Sequence, residues 1–162
     1  MTYDATEAPG VSPKEVQGQM TRLLDEFVQD TPGVTHALLV SRDGLKQVVV
    51  SHMDDSWADE VAAAFSGMAA LAKGVKGPTD KQLPAGQVLI ERDDTLFLMT
   101  EAGVGSAFND SGTAVSTLLV LLARPEANIG TVGFDAGRLV QRFDRFMTSP
   151  VRARDGQGAG VE

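Results

Sequence analysis

The run Val34-Thr35-His36-Ala37-Leu38-Leu39-Val40-Ser41-Arg42-Asp43-Gly44-Leu45-Lys46-Gln47-Val48-Val49-Val50-Ser51 decides the fold class. Two aliphatic, β-branched stretches flank Arg42-Asp43-Gly44. An Asp-Gly between such stretches marks a hairpin, because glycine enters the φ > 0 region at no steric cost. Strands joined by so short a turn must run antiparallel. The only two histidines, His36 and His52, fall on the two arms. A two-residue turn (Asp43-Gly44) sets position 36 opposite 51 and sends the imidazoles to opposite faces. A three-residue turn (Arg42 to Gly44) sets 36 opposite 50 and makes them diagonal neighbours on one face. No carboxylate stands at ligand-like spacing nearby, so both read as satisfied strand histidines and no metal site is expected.

Upstream of the hairpin, Ser12-Pro13-Lys14-Glu15 combines a hydroxyl N-cap, proline at the first helical position and Glu three residues after the cap. Val16, Met20, Leu23, Leu24, Phe27 and Val28 then form one helical face, closed by Thr31-Pro32-Gly33. Residues 1–11 lack periodicity and read as a flexible arm. Downstream, Asp54-Asp55-Ser56 caps a second helix from Trp57 to about Lys73, stopped by Gly74, Gly77 and Pro78. Strands follow at Gln87 to Glu91 and Leu96 to Glu101, around Asp93-Asp94. A connector from Gly103 to Gly112 leads to a fifth strand near Ala114 to Leu122. A single last helix carries the stripe Val132, Ala136, Leu139, Val140, Phe143 and Phe146, and residues 149–162 read as a disordered tail. The expected fold is α+β, a five-stranded mainly antiparallel sheet with helices on both faces, in the order α-β-β-α-β-β-β-α over residues 12–148.

Composition narrows the function. The chain has 162 residues, 14 Lys+Arg against 22 Asp+Glu, a net charge of −8 and no cysteine. That length fits one domain at roughly 150 residues each. Without cysteine there is no disulfide framework, thiolate metal site or Cys nucleophile, and the usage fits a reducing cytoplasm. An acidic chain is a poor partner for nucleic acid. The longest apolar run, Ala114 to Ala123, falls far short of the ~20 residues that span a bilayer, so direct membrane insertion is not expected.

The second helix points to a partner. Trp57, Val61, Ala64, Met68 and Leu71 make one apolar stripe, and Ala58, Ala62, Phe65, Ala69 and Ala72 make another. A helix that is apolar around its circumference is covered around its circumference. One sheet face covers half of it, and the economical cover for the rest is a symmetric copy of the same chain.

Catalytic motifs fail. Gly103-Val104-Gly105-Ser106-Ala107-Phe108 has Phe108 in place of the third glycine of a dinucleotide fingerprint and lacks a Gly-Lys-Ser/Thr ending. Ser66, Ser106 and Ser111 lack a nucleophile elbow. Asp54-Asp55 and Asp93-Asp94 sit where caps and turns favour Asp. No catalytic residue, cofactor or metal site is assigned. Arg138, Arg142 and Arg145, spaced i, i+4 and i+7, form a strip that an acidic partner could contact. A small-molecule sensory domain with an internal pocket is the alternative reading.

The order of elements, Pro32 to Gly44, Leu96-Phe97-Leu98-Met99 and Ile129-Gly130-Thr131-Val132-Gly133-Phe134-Asp135-Ala136-Gly137-Arg138-Leu139-Val140 together resemble the roadblock family of dynein light-chain-type domains. The likeness is nearest to its bacterial, actinomycete branch and spans about residues 12–148. It implies a roadblock/profilin-like fold. It also implies a cytoplasmic, non-enzymatic homodimer built on the second helix and third strand, with one sheet continuous across both subunits. The seam would hold Trp57, Val61, Ala64, Phe65, Met68, Leu71, Val88 and Ile90. The partner it implies is a small Ras-like GTPase in bacterial signalling; in actinomycetes such proteins resemble members of gene clusters that also encode a sensor kinase and a GTPase. The connector 103–112 is longer than family members usually have.

Overall fold

Ser12 begins the first helix as expected: its Oγ accepts from the Glu15 N–H at 3.2 Å, the hydroxyl half of the capping box. The structure is a computed structural model and describes residues 12–105 and 115–147. The expected arm 1–11, the tail from 149 and residues 106–112 of the connector lie outside the described residues. Helix α1 (Pro13–Asp30) buries Val16, Met20, Leu24 and Phe27, the face predicted by spacing.

The hairpin strands are β1 (Val34–Ser41) and β2 (Lys46–Val49). Both turn readings hold in part. Ser41 N–H donates to the Leu45 carbonyl at 2.9 Å, which closes a three-residue turn and sets Val40 opposite Lys46. A bulge between Leu39 and Val40 then shifts the ladder by one, so Leu38 faces Val49. Extending that ladder sets 36 opposite 51, yet the histidines do not part. The chain leaves β2 after Val49, turns through a Met53 N–H to Val50 carbonyl bond of 3.2 Å, and brings His52 back over His36.

Helix α2 (Asp55–Gly74) follows, then β3 (Gln87–Glu91), β4 (Leu96–Gly105) and β5 (Val115–Ala123). The five strands form one sheet in the order β2-β1-β5-β4-β3, and every pairing is antiparallel. β4 runs beyond its expected end at Glu101. Gly103 takes φ +100 at a register shift, and Gly103 and Val104 pair with Thr117 and Ser116. The start of the expected connector is therefore strand, since glycine supplies the positive φ that the shift requires.

Residues paired directly across antiparallel strands share a face. Ile90, Phe97, Leu122 and His36 form one such row from β3 to β1, and Val88, Met99, Val120 and Leu38 form the next. The Phe65 and Phe97 rings lie 5.4 Å apart, so this face is the one beneath α2. Ala37, Leu121 and Leu98 are buried on the other face, toward α1 and α3, and Leu89 at its β3 end is exposed.

The last predicted helix is two. Helix α3 (Ile129–Arg142) is capped by Asn128, whose Oδ1 accepts from the Thr131 N–H at 3.1 Å. It ends at Phe143, and a short α4 (Asp144–Met147) follows. Phe143 is fully buried, and its N–H bonds three residues back to Val140 at 3.0 Å. That tightened turn ends the α-helical ladder while keeping Phe143 and Phe146 in the core. No helix of the described residues is long and apolar enough to cross a membrane.

Candidate functional site

Helix α2 is fixed to the sheet at its first turn. Asp54 Oδ2 accepts from the Trp57 N–H at 2.9 Å, satisfying a donor that the helix start leaves free. Lys46 on β2 reaches Asp55 at 2.9 Å and Asp59 at 2.8 Å, and these carboxylates raise its pKa, Asp59 foremost. So anchored, the helix buries Ala58, Val61, Ala62, Phe65 and Ala69 against its own sheet.

Among the described residues, much of the remaining circumference is left open. Trp57 is exposed to 37%, Leu71 to 73%, Ala64 is exposed and Met68 is half-buried. This is the stripe the sequence assigned to a seam. It forms one wall of a groove of about 260 Å³ whose opposite wall is Ile90, Arg92 and Phe97. Of the eight predicted seam residues, Trp57, Val61, Ala64, Phe65, Met68 and Ile90 line this groove. Val61 and Phe65 form its floor and already belong to the core. Val88 lies one row along from Ile90 on the same face, and Leu71 stands one turn farther along α2.

Arg92, Glu60 and Phe97 are groove residues that pattern reading missed. Their signal is tertiary: Phe97 enters only through its pairing with Ile90. Arg92 holds Asp94 through two hydrogen bonds of 2.9 and 2.7 Å and lies 5.4 Å from the Phe97 ring centre. Its guanidinium keeps the Asp94 carboxyl below the usual carboxylate range. Beside the groove, β3 is the outermost strand of the sheet. Gln87-Val88-Leu89-Ile90-Glu91 has no proline, lysine or bulge, the usual devices that blunt an edge.

Behind the groove wall His36 meets Trp57 in a T-shaped contact, ring centres 4.8 Å apart, and His52 stands 4.8 Å from His36. Thr35 serves both imidazoles, its hydroxyl at 2.9 Å from His36 Nδ1 and its carbonyl at 2.9 Å from His52 Nε2. Burial first and His52 second lower the pKa of His36. Among the described residues, no three His, Cys, Asp or Glu side chains gather as a metal site would require.

The arginine strip divides. Arg138 and Arg142 line a groove of about 350 Å³ between α3 and the end of α1, together with Asp30 and Asp135. Arg145 lies past the break on α4, its guanidinium 5.4 Å from the Phe146 ring centre, and takes no part. The i+7 spacing assumed an unbroken helix. Ser66 donates to the Ala63 carbonyl at 3.1 Å within α2, while Ser106 and Ser111 lie outside the described residues. The two grooves and a third, of about 400 Å³ at the start of α3, open to the surface.

The Roadblock/LC7 domain model matches residues 20–108, more than half of the chain and the whole of the α2–β3–β4 groove. The chain belongs to the Roadblock/LC7 family. A Roadblock/LC7 domain from Streptomyces avermitilis is 30% identical, covers 78% of this chain and 95% of its own, and superposes with a TM-score of 0.64. A second Roadblock/LC7 structure from Streptomyces avermitilis is 26% identical over 76% of this chain and 97% of its own, with a TM-score of 0.57. The gliding protein MglB from Thermus thermophilus shares the fold at 18% identity, covering 90% of this chain and 98% of its own, with a TM-score of 0.63. No curated protein matches the sequence.

Proposed function

We propose that this Roadblock/LC7 protein is a non-catalytic, cytoplasmic homodimeric adaptor that binds and modulates a small Ras-like GTPase in bacterial signalling. The observation that carries the reading is the juxtaposition of an uncovered apolar stripe on α2 with the unblunted edge of β3 on one side of the molecule. A two-fold partner satisfies both at once. Its β3 pairs antiparallel with this β3 and its α2 covers Trp57, Ala64, Met68 and Leu71. The register that pairs all five β3 residues centres on Leu89, setting Val88 against Ile90 of the second copy on the α2 side.

Family membership supports the GTPase as partner and binding over chemistry. Binding would bias the GTPase switch loops or present it to further proteins. The seam residues named from sequence and the Arg138–Arg142 groove are the surfaces offered, the first to the second copy and the second to the partner. Retention of a small GTPase on the immobilised full chain is the test, with GDP and then with a non-hydrolysable GTP analogue. Retention that depends on the nucleotide supports the proposal, and equal failure in both states overturns it.

A further inference from the structure

The imidazole pair adjoins the groove through Trp57. His36 occupies the last position of the row Ile90, Phe97, Leu122, His36 beneath the start of α2. Trp57 both lines the groove and presents its ring edge-on to His36. A change of charge on His36 therefore acts on a groove wall through one direct contact.

The charged groups around the pair are already engaged or directed elsewhere. On α1, Asp25 takes the Ser51 N–H at 2.9 Å and its hydroxyl at 2.6 Å. On β2 and α2, Lys46 holds Asp55 and Asp59, and Asp54 caps Trp57. Glu60 and Arg92 face the groove, and Arg92 is tied to Asp94. None of them makes an ion pair with either imidazole among the described residues, and Thr35 supplies a polar contact to each ring. A proton arriving at one ring thus meets its neighbour 4.8 Å away with no carboxylate paired to offset it.

We propose that the His36–His52 pair forms a proton-operated release for the α2 seam: acidification charges His36, flanked by Trp57 and His52, and separates the two copies. This rests on the homodimer reading and names its regulation. The sign follows from linkage. The pKa of His36 in the folded single chain lies below its ordinary value, so the unfolded chain binds more protons. The stabilisation is therefore complete above the ordinary imidazole value of about 6.5 and drains away as pH falls through it toward the lowered one. A second copy that covers Trp57 withdraws His36 further from water and so extends that loss to the seam.

The protein carries its own reporters, since Trp57 is the only tryptophan and His36 and His52 are the only histidines. Sedimentation of the full chain at about pH 7.5 and about pH 5.5 brackets the ordinary imidazole value. Dimer affinity is expected to fall about tenfold, with a matching change in Trp57 fluorescence. His52→Gln, at an exposed position, is expected to flatten both responses, and His36→Asn to abolish them. Imidazole resonances of the wild-type chain should show His36 titrating below the ordinary value. A dimer of equal affinity at both pH values, or a response that survives both substitutions, overturns the switch. A chain that is monomeric at both pH values overturns the dimer itself, while the Trp57 titration still reports whether the cluster responds to protons.

Discussion

Gly33 shows how much a single backbone position carries. It takes φ +91, and a Cβ there would stand 2.6 Å from the Cβ of Ala127. Its carbonyl also accepts the Arg124 N–H at 2.8 Å, tying the start of β1 to the end of β5. Gly33→Ala combines backbone strain with a steric clash, at a cost on the order of 1–3 kcal/mol. Urea unfolding should show a lower midpoint with an unchanged slope. Thr31-Pro32-Gly33 was legible as a helix stop, but the need for glycine was not, because Ala127 is remote in sequence. The same distinction explains the histidines. Turn chemistry fixed the hairpin near Gly44, whereas the bulge at Leu39/Val40 and the fold-back of His52 depend on tertiary packing.

At the scale of elements, α2 and β3 make separable predictions. Met68 is half-buried on the groove wall and Val61 is only 6% exposed. Met68→Glu should leave the circular dichroism spectrum and fold of one subunit intact while halving the mass in solution, because a charge would be stranded only in the covered seam. Val61→Arg should instead lower the thermal midpoint, since its charge would be forced into the core of the subunit itself. For β3, the register centred on Leu89 sets the two Leu89 residues directly opposite each other. Because the chain has no cysteine, Leu89→Cys should give a single cross-linked dimer on a non-reducing gel under mild oxidation. A variant that stays uncrosslinked while the mass remains dimeric would reject that register. The α2 stripe was readable from spacing alone because side chains at i, i+3 and i+4 share a helical face whatever surrounds them. The break at Phe143 was not, because Phe143 and Phe146 keep the apolar spacing of one continuous helix while the chain tightens between them.

For the molecule as a whole, association and stability are linked. A seam that binds the folded but not the unfolded chain raises the thermal midpoint with protein concentration. Calorimetry at increasing concentration should show that rise, and Met68→Glu should remove it. The sheet order has a consequence of another kind. β5 is the last of the described strands to be synthesised, yet it sits at the centre and joins the β1–β2 and β3–β4 hairpins, which make no strand pairing with each other. Until residues 115–123 leave the ribosome, the nascent chain consists of two sticky half-sheets with nothing to zip them together. Its birth is thus its most vulnerable moment, and a chain interrupted before Val115 is expected to precipitate or be held by chaperones instead of resting as a smaller folded unit.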